Sequence, residues 1–168
     1  MSSFNSFDAE LYIVYDPIAS DKLGKDYWRV AKAFSFYIGD VADGRWVHIP
    51  EGYLTDGASV PRLFWSIIPP WGRYGQAVVV HDFLCEYLSI TVNGVPTSIT
   101  RQQADEILGE AMAVLNVPQV THDEIVTAVA LYRITSGKTT ASNDPAKRAC
   151  EADWFNKQEM LAKRKIAG

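Results

Sequence analysis

The seven residues TDGASVP, 55–61, divide this chain into two kinds of sequence. Before them, ELYIVYD (10–16), YWRVAKAFSFYIGD (27–40) and RWVHIPEGYLT (45–55) are rich in β-branched and aromatic residues, which suit a pleated, half-buried surface. The segments SDKLGKD (20–26) and VADG (41–44) interrupt them, and Asp43-Gly44 is a hairpin signal. After TDGASVP the apolar period changes, and helices are expected at about 73–91, 100–116, 121–136 and 144–165. Strands first and helices after argue an α+β fold: an N-terminal antiparallel β-region at about 10–55, then four helices within about 73–165.

Three helix starts carry signals of their own. Thr100 with Gln103, and Thr121 with Glu124, have capping-box spacing, and Asp144-Pro145 supplies an N-cap followed by proline at the first helical position. TSGKTTASND, 135–144, then reads as a linker or loop. With 168 residues the chain suits one domain with a sizeable core. Within it the expectation is a β-region (10–55), a helical core holding the site (56–136), and a linker with a C-terminal surface helix (137–168).

Composition narrows the function classes. A hydrophobic fraction of 48% with 21% charged residues is ordinary for a folded domain. A net charge of −4 and a pI near 5.3 provide no broad basic field for phosphates, so no nucleic-acid partner is expected. No cationic segment leads into an apolar core at the start, and no apolar run reaches about 18 residues, so neither a signal peptide nor a transmembrane segment is expected. Cys85 and Cys150 are too few for a disulfide scaffold, which suits synthesis in a reducing cytoplasm.

The chemistry is concentrated around VVVHDFLCEYL, 78–88. As a helix, this stretch places Ala77, Val78, Leu84, Cys85 and Leu88 at helical spacing from His81, so the imidazole lies on an apolar stripe. On the next helix Asp105 shares its stripe with Leu108 and Met112. An unsatisfied buried polar group costs roughly 1–3 kcal/mol, so the economical arrangement brings His81 and Asp105 together. A carboxylate on one ring nitrogen fixes the tautomer and orients the other nitrogen as a general base toward water. The same pair also serves a purely structural purpose if it only satisfies itself within the core.

Asp82 lies about 100° around the helix from His81 and faces a different neighbour. The turn at 55–61 offers Asp56 and backbone carbonyls, which with Asp82 compose an all-oxygen set suited to calcium rather than zinc. Asp56 and Ser59 are equally able to hydrogen-bond the backbone of their own turn.

TDGASVPRLFWSIIPPWGRYGQAVVVHDFLCEYL, followed by TRQQADEILGEAM, resembles a phage-associated family of domains of unknown function with the pattern TD-x-ASVPR, HD-x-LY and R-x-x-AD. The resemblance spans about residues 50–115 and implies a bacteriophage or prophage setting, with synthesis in the host cytoplasm and incorporation in the virion as the expectation. The order DG-x-S, HD-x-x-Y and AD also resembles, more weakly, the microbial secreted phospholipases of the A-two type. That resemblance implies that His81 activates water, Asp105 orients it, and Asp82 with the Asp56–Gly57 turn holds calcium. Cys85 stands where both patterns carry tyrosine, whose hydroxyl helps hold the carboxylate.

Other groups suit simpler roles. Ser59 is an alternative nucleophile for His81 and Asp105, but no strand-turn-helix elbow surrounds it. His122-Asp123 sits in an expected first helical turn, and His48 has no ligand neighbour at zinc spacing. Phe64, Trp65, Ile67, Ile68 and Trp71 wall a pocket, rest on a membrane interface or pack in the core. The last helix aligns Cys150, Trp154 and Leu161 and so suits docking on its own domain or on other virion proteins. The leading expectation is a bacteriophage-encoded hydrolase-like protein acting on a lipid or other envelope ester. The alternative is a non-enzymatic virion or tail component.

Overall fold

A computed structural model describes residues 4–57 and 71–167. Strands β1 (Ser6–Phe7), β2 (Ile13–Tyr15), β3 (Trp28–Val30), β4 (Phe34–Tyr37), β5 (Arg45–Ile49) and β6 (Leu54–Thr55) precede helix α2 (Gly75–Tyr87). Strands β7 (Ser89–Val92) and β8 (Val95–Ser98) follow, then α3 (Arg101–Val114), α4 (Gln119–Ser136) and α5 (Pro145–Ala167). The fold is α+β. Antiparallel pairing joins the strands into a five-stranded sheet, β1-β4-β5-β7-β8, and a three-stranded sheet, β2-β3-β6.

Four departures from the sequence reading have local causes. First, SDKLGKD is not merely a break between strands, because α1 (Pro17–Leu23) runs into it. Asp16 caps that helix by accepting from the Ala19 N–H at 2.8 Å, Pro17 opens it, and Gly24 closes it at φ 73°. Second, YWRVAKAFSFYIGD is divided between β3 and β4, which belong to different sheets. Third, the helix expected to reach residue 91 stops at Tyr87. Leu88 adopts φ 47°, and the β-branched SITV segment pairs with β5 and with β8 across an Asn93-Gly94 turn at φ 50° and 80°. Fourth, the capping box of Thr121 and Glu124 does not form, since α4 already begins at Gln119 after Pro118. The Pro118 carbonyl accepts from the His122 N–H at 2.9 Å, which places Thr121 inside the helix.

Other boundaries follow the sequence signals. The Thr100–Gln103 capping box is complete, with reciprocal bonds of 2.8 and 3.1 Å. Asp144 accepts from the Lys147 N–H at 3.1 Å at the start of α5. The hairpin expected near Asp43-Gly44 joins β4 to β5 through a short 3-10 turn, Val41–Asp43. Among the described residues there are therefore five α-helices, one more than the sequence reading expected.

Helix α2 is the central element. Val78, Val79, Val80 and Leu84 are fully buried, as its near-continuous apolar sequence requires. It packs against α3 and β5, and α3 packs against α4. Phe34, Phe36, Val47 and Ile49 from the larger sheet complete the core with Leu108, Met112 and Ile125. No helix among the described residues is long and apolar enough to cross a membrane.

Helix α5 docks through its first turns. Glu151 accepts from the Leu54 N–H at 2.9 Å, while Trp154 lies against Gly52 and beneath the Arg29 guanidinium. Gly52 has φ 89°, and a Cβ there would meet the Trp154 ring at 2.7 Å, so glycine is required both for the turn and for the close approach. Beyond Trp154 the helix is exposed; Leu161, expected on the docking stripe, is 43% accessible.

Candidate functional site

His81 and Asp105 meet. The apolar flanks of α2 and α3 drive the two helices together, and each carries its polar residue to the contact. His81 Nε2 donates to Asp105 Oδ1 at 2.8 Å, and Asp105 Oδ2 accepts from Arg133 Nε, on the last turns of α4, at 2.7 Å. Both oxygens of a buried carboxylate are thereby satisfied by cationic donors. Burial pushes the Asp105 pKa up, but His81 and Arg133 outweigh it and hold the group below its ordinary 3.8.

Arg133 was not a candidate from the sequence. The resemblance assigns part of the task of holding the carboxylate to a tyrosine hydroxyl at the position of Cys85. In this chain a guanidinium from another helix does so. Cys85 lies one turn beyond His81, with its sulfur 3.5 Å from Nε2 and 3.9 Å from Nδ1. Burial opposes a charge on His81, yet the adjoining sulfur and the Asp105 carboxylate outweigh it and raise its pKa from 6.5 to about 10. The imidazole therefore carries a proton at neutral pH.

These groups line a cleft of about 290 Å³. Asp56 and Asp82 line it too, beside Thr55 at the end of β6. Asp82 Oδ2 accepts from the Thr55 hydroxyl at 2.6 Å, which in turn accepts from the Gly57 N–H at 3.3 Å. The Lys25 ammonium, delivered by the segment after α1, pairs with Asp56. Burial lowers the Lys25 pKa, but the Asp56 carboxylate prevails and raises it. Of the groups expected to hold calcium, the Asp56 and Asp82 side chains thus line one cleft, with a lysine charge already placed on Asp56, while Gly57 is not among its lining residues. Ser59, Phe64, Trp65, Ile67 and Ile68 lie outside the described residues. Trp71 packs edge-on against Trp28 rather than on this cleft, with ring centroids 5.2 Å apart.

The far wall is a second charged network that sequence reading also missed. Glu86, on α2, accepts from the Tyr53 hydroxyl at 3.1 Å and pairs with Lys147 of α5, which also reaches Glu151 at 3.0 Å. Burial, then the carboxylates of Asp82, Glu86 and Glu151, raise the Tyr53 pKa well above its usual value, so the phenol stays a neutral donor. The segment expected as a linker closes the rim. Ser142 N–H donates to the Cys85 carbonyl at 2.9 Å, and Arg101 donates to the Thr140 carbonyl and the Ser142 hydroxyl at 2.9 and 2.6 Å.

The remaining histidines lie elsewhere. His122 Nε2 donates to the Gly109 carbonyl at 3.1 Å and fastens α4 to α3, while His48 pairs with Ser35 across β4 and β5 at 3.0 Å. Among the described residues no group of three or more His, Cys, Asp and Glu side chains is arranged to hold a metal ion.

Residues 28–129 match a family model described as a protein of unknown function, DUF1353. An uncharacterized protein, y4jT, of Sinorhizobium fredii (strain NBRC 101917 / NGR234) is 36% identical over 109 residues, covering 56% of this chain and 30% of that protein. The chain therefore matches less than a third of that relative's length. No solved structure gives a significant match.

Proposed function

The chain belongs to the DUF1353 family of proteins of unknown function, and we propose that it is a bacteriophage-encoded hydrolase-like protein that cleaves an ester of the cell envelope in the cleft at His81. The observation that carries this reading is that the His81–Asp105 pair, 2.8 Å apart and itself buried, borders a cleft of about 290 Å³. A pair serving only to satisfy itself gains nothing from facing such a space. Arg133 and Asp105 hold the ring in one orientation, which is the positional requirement for proton transfer. With its pKa near 10, His81 begins the reaction as a proton donor and becomes a base only after giving that proton up.

Calcium at Asp82 and the Asp56–Gly57 turn would polarise the ester carbonyl, as the phospholipase resemblance implies. To bind there the ion must displace Lys25 from Asp56 and compete with Thr55 for Asp82. The cleft thus supports the hydrolytic pair more directly than it supports the metal.

Purified protein presented with phospholipid, simple ester and peptidoglycan panels tests the proposal. Turnover lost in His81→Gln, with an unchanged fold, is the expected result. No hydrolysis by the wild type across these panels removes the reading.

A second reading, a non-enzymatic virion or tail component, draws on the ion pairs themselves. Lys25–Asp56, Arg133–Asp105 and Lys147–Glu86 each join separate elements and act as fasteners. In that case the exposed part of α5, with Met160, Leu161 and Ile166, is the surface for other virion proteins. Changing those three residues to serine would then abolish incorporation into particles without unfolding the chain, whereas the hydrolase reading does not require that loss.

A further inference from the structure

On the side of the cleft formed by α3 and α4, positive charge exceeds negative. Arg101, Arg133 and Lys138 line that side together with Asp105, both of whose oxygens are already taken, by His81 at 2.8 Å and by Arg133 at 2.7 Å. The other acidic groups of the cleft are engaged elsewhere: Asp56 with Lys25, Asp82 with Thr55, Glu86 with Lys147, and Asp144 at the start of α5. Among the described lining residues, no carboxylate pairs with Arg101 or Lys138. The chain as a whole carries a net charge of −4, so this excess is local.

Each of the two guanidiniums is held in place by part of its donor set. Arg101, one helical turn before Asp105 on α3, donates Nε and Nη2 to the Thr140 carbonyl at 3.1 and 2.9 Å, and Nη2 to the Ser142 hydroxyl at 2.6 Å. Asp105 gives Arg133 one oxygen, at Nε, because its other oxygen serves His81. Nη1 of Arg101, both Nη atoms of Arg133 and Nζ of Lys138 therefore have no acceptor among the described residues. Gly137, at φ 64°, ends α4 and turns the chain so that exposed Lys138 follows at the rim.

Gathered like charges repel one another unless an anion sits between them. Fastening the rim accounts for one part of each guanidinium and leaves Lys138 unexplained. The remaining guanidinium donors match the oxygens of a phosphate, and an ammonium adds a compact charge beside them. We propose that this side of the cleft binds a phosphate group through Arg101, Arg133 and Lys138, and thereby selects esters that carry one. The role in selection rests on the hydrolase reading; phosphate binding itself does not. The cleft, about 290 Å³, has room for a phosphate with a short ester attached.

Titration calorimetry of the intact protein with sodium phosphate at pH 7, with ionic strength held constant by sodium chloride, tests the site. The wild type should bind phosphate. Lys138→Gln and Arg101→Gln should each weaken that binding at least roughly fivefold, with urea unfolding checking that both variants stay folded. Lys165→Gln removes an equal charge from the exposed end of α5 and should leave binding unchanged. No binding by the wild type, or the same loss in Lys165→Gln as in Lys138→Gln, overturns the proposal.

Glycerol 3-phosphate and phosphatidylglycerol vesicles, each added as a competitor, separate the two sources of the group. Displacement of phosphate by the soluble ester alone assigns the site to soluble phosphate esters, displacement by the vesicles assigns it to lipid headgroups, and displacement by neither overturns it. If phosphate binds and Lys138→Gln weakens it while no ester is cleaved, the phosphate site stands and the hydrolase reading fails. If esters are cleaved with no phosphate bound, the hydrolase reading stands and this site is wrong.

Discussion

Replacing Asp105 by asparagine preserves shape while removing the charge between His81 and Arg133. The pKa of His81 rises from 6.5 to about 10, and at about 1.4 kcal/mol per pH unit its surroundings contribute at most roughly 4–5 kcal/mol to holding the proton. Cys85 and Asp105 both supply that effect, so about half, roughly 2–3 kcal/mol, is assigned to the carboxylate. The Arg133 side chain is 27% exposed, and solvent screening limits its share to about 1 kcal/mol. The variant should therefore lose about 3 kcal/mol at neutral pH, in line with the cost of breaking a buried pair. The folded pKa lies above the unfolded one, so the His81 contribution is complete below about 6.5 and disappears as pH rises through about 10. Urea unfolding followed by tryptophan fluorescence should show the gap between wild type and variant narrowing across that interval. Proton NMR of the three histidines should find His81 of the wild type untitrated between about pH 5 and 8, and titrating at lower pH in the variant. A wild-type His81 that titrates near 6.5, or a stability gap independent of pH, would refute the reasoning.

Gly52→Ala should cost about 2 kcal/mol, because it strains a φ of 89° and drives a Cβ into the Trp154 ring; an unchanged urea midpoint would show that α5 is free to shift. Asn93→Ala should cost about 1 kcal/mol through its φ of 50° at the β7–β8 turn, whereas Asn93→Gly should be close to neutral. The two thermal midpoints decide this, and equal values would exclude the backbone explanation. Millimolar calcium should leave the thermal midpoint unchanged, since Lys25 already neutralises Asp56; a rise in midpoint that Asp82→Asn abolishes would restore the calcium site.

Periodicity and local chemistry determined a good deal of this protein. The change of period across TDGASVP was enough for the α+β order, and Thr100, Gln103, Asp144 and Pro145 marked two helix starts by bonds that span only a few residues. His81 and Asp105 each stood out as a polar group on an apolar stripe, and a buried polar group must find a partner, so their meeting across 24 residues was legible too. The second hairpin was also written locally, in SITV and Asn93-Gly94, although a helical period carried too far obscured it. Tertiary structure alone decided the rest. Arg133 reaches Asp105 across 28 residues, Lys25 reaches Asp56 across 31, and Lys147 reaches Glu86 across 61. Nothing in a pattern distinguishes these cations from the solvated lysines and arginines around them, because a long, flexible, charged side chain suits either environment. Helical periodicity states which face turns inward; which charge is waiting there depends on how distant elements pack, and that packing made His81 a protonated group with a cysteine sulfur at its side.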